Sequence, residues 1–272
     1  MKIATLCFFL SALTVVNASV AQAETAKSSS EWTSLFNGKN LDGFDTFLGR
    51  YGPDRLNDDP QNIVSVQNGE IHIYKDTEQG AEAPFGYFVT QKEYSHYHLR
   101  FEYRWGEKKF APRTNVVRDS GVIFHMVGPN KVWPRGVECQ VQEKDTGDIF
   151  TVYGTQVTTT VDPKRKGSSP QFMEAKDGGV PLTQGSKGVT RIVKSTTEEK
   201  EGWNTVEIIV RGSDEFTHIV NGVVNNRGSD IRELDSNGED WIPLKSGKIL
   251  FQVEGAEVRY RNIEIKELPA SK

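Results

Sequence analysis

Apolar residues recur at every second position through most of the chain, in short runs broken by Asn, Gly, Asp and Pro. This alternation predicts β-strands with one buried face, and the three-and-four spacing of helices is scarce. In "HYHLRFEYRW", Tyr97, Leu99, Phe101, Tyr103 and Trp105 share one face, and His96, His98, Arg100, Glu102 and Arg104 the other. "DSGVIFHMV" is apolar on both sides apart from His125, which predicts a strand covered on both faces. "IVSVQNGEIHIYK" and "EFTHIVNGVVNN" each centre on Asn-Gly, the pair that suits a two-residue hairpin turn with positive φ at both positions. In "KILFQVEGAEVRYRNIEIKEL" the apolar parity changes between Tyr260 and Ile263, which predicts a β-bulge near Arg261 and Asn262. Together these signals predict an all-β chain folded as an antiparallel two-sheet sandwich.

Two stretches break the pattern. Thr155 to Gly202 is rich in Gly, Ser, Thr, Lys and Pro with weak periodicity, and it reads as a long functional loop or flap without a core of its own. Residues 1–23 carry Lys2, an apolar run and a closing "AQA", the grammar of a secretory signal peptide with a small-residue cleavage site. Residues 24–31 then form a polar linker, and one domain spans 32–268. The expected location is periplasmic or secreted.

Composition narrows the partners. The chain has 33 basic and 37 acidic residues; without Lys2 the balance is 32 against 37, or −5. Such a mildly acidic surface carries no basic field for nucleic acid, and no apolar span remains for a membrane once the leader is removed. Of the two cysteines only Cys139 lies beyond the leader, so no internal disulfide can form and the core must stabilise the fold.

Chemistry concentrates in "RGVECQVQEKDTGD". Val137, Cys139 and Val141 point one way, while Glu138, Gln140 and Gln142 point the other. Side chains two strand residues apart stand roughly 7 Å from one another, a spacing suited to several hydroxyls of one sugar ring. Glutamine and glutamate are weak strand formers, so a row of them on one face favours function over a solvated stripe.

The blocks "EWTSLFNGKNLDGF", "DSGVIFH", "RGVECQVQEKDTGD", "GWNTVEIIVRGSDEFTHIVNG" and "GAEVRYRNIEIKEL" together resemble the family of 3-keto-disaccharide hydrolase domains. The resemblance implies a concanavalin-like jelly roll, export from a bacterium, and a small-molecule carbohydrate substrate whose C3 hydroxyl is already a ketone. A ketone at C3 acidifies the C2 proton, so a base removes it and the group on C1 departs by β-elimination, after which water adds back. Such a site needs a base near C2, a stabiliser for the C3 enolate oxygen, and an acid for the leaving oxygen.

Glu138 is the first catalytic candidate and His125 the second. If "GPNKVWPR" turns the two strands back on each other in register, His125 lies beside Glu138 as a tunable acid/base pair. Arg118 could hold the enolate oxygen, Trp133 could stack on a sugar face, and Asp119, Gln140, Gln142 and Asp148 complete a binding set. Gln252 and Glu254 share parity on a later strand and either line the same sheet or face water. "KDTGD" could offer oxygen ligands to a divalent cation without the spacing of a calcium loop, which leaves a metal open. No glycine loop of the phosphate-cradling kind is present, so no nucleotide cofactor is expected. Two other readings stand beside this one: a lectin-like, non-catalytic carbohydrate-binding sandwich, and a glucanase-like hydrolase using Glu138 and Glu143 as its two carboxylates.

Overall fold

A computed structural model describes residues 31–165, 169–195 and 199–270. The expected signal peptide, and all but the last residue of the expected linker, lie outside the described residues. Eighteen strands occur among them: β1 (Thr33–Ser34), β2 (Phe44–Leu48), β3 (Val64–Gln67), β4 (Glu70–Ile73), β5 (Gly86–Thr90), β6 (His96–Lys109), β7 (Asp119–Val127), β8 (Arg135–Gln142), β9 (Ile149–Val152), β10 (Thr155–Val161), β11 (Val180–Ser186), β12 (Val189–Val193), β13 (Asn204–Arg211), β14 (Glu215–Val220), β15 (Val223–Leu234), β16 (Trp241–Pro243), β17 (Lys248–Val253) and β18 (Ala256–Glu267). Among the described residues no helix is long and apolar enough to cross a membrane.

The strands form two antiparallel sheets, as the alternation predicts. One has eleven strands along the path β11-β10-β15-β14-β13-β6-β18-β4-β3, with β1 on β18 and β16 on β15; the other has seven, in the order β12-β9-β8-β7-β17-β5-β2. The fold is therefore an all-β, two-sheet jelly-roll sandwich. Tyr97, Leu99, Phe101 and Tyr103 of β6 meet Val122 and Phe124 of β7, Val137, Cys139 and Val141 of β8, and Phe251 of β17 in one buried core. Cys139 is a free, buried thiol.

Local signals fall where the chain turns. Asn68 and Gly69 take φ of 55° and 78°, and Asn221 and Gly222 take 50° and 81°, the positive values that a tight hairpin demands. The β18–β6 register shifts between Arg261 and Glu264, with Asn262 at φ 50°, which is the predicted bulge.

The stretch from Thr155 to Gly202 corrects the sequence reading. It is not a loop: it supplies β10, β11 and β12. β11 and β12 end the two sheets on the same side, and β10 pairs with both β11 and β15. Edge strands with one half-exposed face tolerate Thr, Gly and Pro, so their apolar period is faint.

Candidate active site

The seven-stranded sheet turns one face to the core and the other outward, and the outward face carries the polar row. Pairing across β7 and β8 sets Asp119 opposite Gln142, Gly121 opposite Gln140, and Ile123 opposite Glu138. On the far side of β8, Glu138 pairs with Phe150 and Gly136 with Val152; beyond them Val189 of β12 pairs with Val152. On the other flank, Leu250 of β17 pairs with Ile123, so Gln252 and Glu254 continue the rows that Gly121 and Asp119 begin.

These rows floor a hollow of about 460 Å³ lined by Arg113, Asp119, Trp133, Glu138, Gln140, Gln142, Phe150, Tyr153, Val189, Gln252 and Glu254. Seven of the ten residues singled out from the sequence converge there: Asp119, Trp133, Glu138, Gln140, Gln142, Gln252 and Glu254. The two open candidates, Gln252 and Glu254, are 1% and 6% exposed and belong to the hollow rather than to solvent.

The electrostatic centre is three carboxyl groups around one guanidinium. Arg113 donates from Nη1 to Asp119 Oδ2, and from Nη2 to Glu254 Oε1 at 2.5 Å, while the Trp133 indole N–H donates to the same Glu254 oxygen at 3.1 Å. Glu138 is 4% exposed and, among the described residues, forms no ion pair. Burial, then the charges of Glu254 and Asp119, push its carboxyl well above the usual range, against smaller opposing help from Gln252 and Arg113. Burial and Asp119 likewise push Glu254 up, to about 8. Burial also raises Asp119, with Arg113 and Gln142 opposing. One cation cannot neutralise three buried carboxylates, so burial and mutual repulsion favour the protonated form within the cluster.

Gly121 makes room for this arrangement. A Cβ there would fall on the Glu138 carboxyl and within 2.6 Å of Gln252 Oε1. Gly121→Ala is expected to fold, with a stability loss of roughly 1–3 kcal/mol from overpacking. Because the methyl displaces the two side chains that lean over it, turnover should fall at least about tenfold through kcat, more than KM changes. Thermal denaturation and steady-state kinetics of the same preparation check both halves.

Three expected residues lie elsewhere. His125 does not stand beside Glu138 because the strands pair two residues off the expected register, with Ile123 opposite Glu138, and the irregularity between Phe124 and Val127 then turns His125 away from the hollow. His125 sits at that irregularity with φ 51°, wholly buried, its Nε2–H donating to the Gly212 carbonyl at 2.9 Å. Burial lowers its pKa to about 4, so it is a neutral core imidazole. Arg118 is tied to Glu143 and the Gly106 carbonyl and lines a separate hollow with Trp105 and Lys144. Asp148 is fully buried, accepts from the Ser195 backbone N–H at 2.9 Å and meets Arg191 at 3.2 Å, so it pins the β8–β9 turn to the chain after β12.

The same facts remove the Glu138–Glu143 pairing, since Glu143 belongs with Arg118 outside the hollow. Asp145 of "KDTGD" is bound by Arg191 and Lys194 rather than presented to a cation. Among the described residues no group of three or more His, Cys, Asp or Glu side chains is arranged to hold a metal ion.

Four lining residues escaped the sequence reading. Arg113 lies in the aperiodic loop before β7, and only its charge close to "RDSGV" could have drawn attention. Phe150 and Tyr153 belong to the short strand β9 and the turn after it, and Val189 to the segment mistaken for a flap.

Among curated proteins, no sequence matches the chain significantly. Similar solved structures include two from Parabacteroides distasonis ATCC 8503, each provisionally named a glycosyl hydrolase. The first is 20% identical, covering 88% of this chain and 94% of that one with a TM-score of 0.48; the second is 18% identical, covering 88% and 100%, with 0.49. A Bacillus licheniformis β-glucanase is 10% identical, covering 88% and 98%, with 0.45. The profile of 3-keto-alpha-glucoside-1,2-lyase-like domains matches residues 31–266, nearly the whole described chain, and the protein belongs to that family.

Proposed function

We propose that this protein is an exported carbohydrate-active enzyme that cleaves the glycosidic bond of 3-keto sugars by elimination followed by hydration. The observation that carries this reading is a set of three buried carboxyl groups in a hollow with aromatic walls, two of them, Asp119 and Glu254, bound to Arg113 and the third, Glu138, beside them. Elimination needs one ionised carboxylate and one protonated carboxyl in the same place, and a cluster with fewer cations than acids supplies both.

A carboxylate of the Asp119–Glu254 pair, whose charged form Arg113 favours, takes the C2 proton. Charge moves onto the C3 oxygen as the enolate forms, near the guanidinium and the glutamine amides. Collapse of the enolate breaks the C1–O bond, and the electron pair leaves on that oxygen, which takes the Glu138 proton. Water then adds across the C1–C2 double bond, oxygen to C1 and proton to C2, giving the free 3-keto sugar. Trp133 and Phe150 provide aromatic walls beside the polar rows. The leader-like residues 1–23 support the exported location.

Incubation with a 3-keto-glucoside and with its unoxidised parent tests the reading. Release of the aglycone from the keto compound alone is expected. Cleavage of the unoxidised glycoside would favour ordinary two-carboxylate hydrolysis, and binding of either without product would make the sandwich a lectin-like module.

A further inference from the structure

The hollow has two unlike halves, and Glu138 stands on the border. Asp119 and Gln142, with Glu254, form one polar row; Gln140 and Gln252 form the next across Gly121. The Glu138 row is mixed, with buried Ile123 on one side and Phe150 on the other. Past it the floor becomes apolar, from Val152 to Val189, with Trp133 and Tyr153 packed on the same cluster. Val189 is 45% exposed at the rim, an isopropyl group turned to water at the mouth of a polar site.

Resting on the function proposed above, we propose that the leaving group is an aromatic aglycone rather than a second sugar, seated on Trp133, Phe150, Tyr153 and Val189 while the keto sugar lies over the amide and acid rows. An acid that protonates the leaving oxygen must stand where sugar ends and aglycone begins, and Glu138 stands between the polar and apolar halves. A second sugar could stack on one ring, but its hydroxyls would still need partners. The apolar half offers few: the Trp133 N–H is already given to Glu254, and the Lys131 ammonium is held over the Tyr153 ring, 3.7 Å from its centre. A site that leaves hydroxyls unpaired discriminates against them, whereas each apolar group buried against a hydrophobic wall favours binding. A volume of about 460 Å³ falls in the range of pockets that enclose a drug-sized ligand.

The test compares phenyl 3-keto-α-glucoside with a 3-keto-α-glucosyl glucose, on wild type, Val189→Asn and Phe150→Ser. Phenolate is intrinsically the better leaving group, so the informative quantity is the change in the ratio of the two kcat/KM values between wild type and variant, in which leaving-group chemistry cancels. Val189 lies exposed on an edge strand, so Val189→Asn keeps the backbone pairing and the fold even where Phe150→Ser does not. A fall of about tenfold in the phenyl/glucosyl ratio is expected for each folded variant. A ratio unchanged in Val189→Asn, with both compounds turned over, overturns the aglycone assignment and leaves the enzyme reading intact. Absence of turnover on both compounds removes the enzyme reading. Calorimetry with unoxidised phenyl α-glucoside and maltose then decides the aglycone question by itself: tighter binding of the phenyl compound, weakened at least severalfold by Val189→Asn, supports it, and equal or weaker binding overturns it.

Discussion

Glu138→Gln is expected to lower kcat/KM on a 3-keto-glucoside with an alkyl or sugar leaving group by about 10³-fold, within the range for loss of a positioned general acid. The size depends on the leaving group. A nitrophenolate leaves without a proton, so the same variant should lose less than about tenfold on a nitrophenyl 3-keto-glucoside, a contrast that a merely structural glutamate would not produce. The high-pH fall in wild-type kcat/KM, set by deprotonation of Glu138, should vanish in the variant. Stability should move the opposite way. Burial raises the folded-state pKa of Glu138 above its unfolded value, so its contribution is intact below about pH 4.5 and is lost as pH rises toward the folded value. Glutamine keeps the neutral shape, and the variant should match wild type in acid and exceed it at alkaline pH. Chemical denaturation at several pH values, alongside the two-substrate kinetics, checks each point.

Arg113→Met should be the most damaging single change to the fold around the site. It keeps most of the length of the side chain and removes the guanidinium that Asp119 and Glu254 share. Stripping a buried ion cluster of its counter-charge costs roughly 3 kcal/mol or more, or about 6–12 °C in melting temperature for a domain of this size. Arg113 opposes the upward push of burial on both carboxyls. Without it they titrate higher still, so the deficit should be greatest at neutral and alkaline pH and shrink toward pH 4, where protonated carboxyls need no cation. Turnover should fall by at least 10²-fold at neutral pH, because neither a ready base nor a charge for the enolate remains. A variant whose melting-temperature deficit is the same at pH 4 and pH 8 would show that Arg113 acts through packing alone.

Much of this site is visible in the sequence because side-chain direction in a strand depends only on parity. Glu138, Gln140 and Gln142 share a face whatever the register, and their apolar alternates fix that face as outward. The same argument holds for Gln252 and Glu254 against Phe251 and Val253. What parity cannot supply is the offset between strands. His125 lies away from Glu138 because the strands pair Ile123 with Glu138, an offset that parity leaves open, and the irregularity after Phe124 that turns His125 into the core has no composition signal comparable to Asn-Gly. Arg113 was missed because a loop residue has no periodicity, and only the folded path of the 110–118 loop brings its guanidinium over β7 and β17. The apolar half of the hollow was hidden for a third reason: Val189 sits on an edge strand whose own composition resembles a loop.

The proposed reaction turns on the carboxyl cluster removing a proton from C2 of a 3-keto sugar. Proton NMR of a 3-keto-glucoside in D₂O measures that step directly. Deuterium is expected at C2 of the released keto sugar, with a primary isotope effect when C2 is deuterated beforehand and a rate of deuterium uptake at least about 10²-fold lower in Arg113→Met. Release of the aglycone with the C2 hydrogen retained would contradict it.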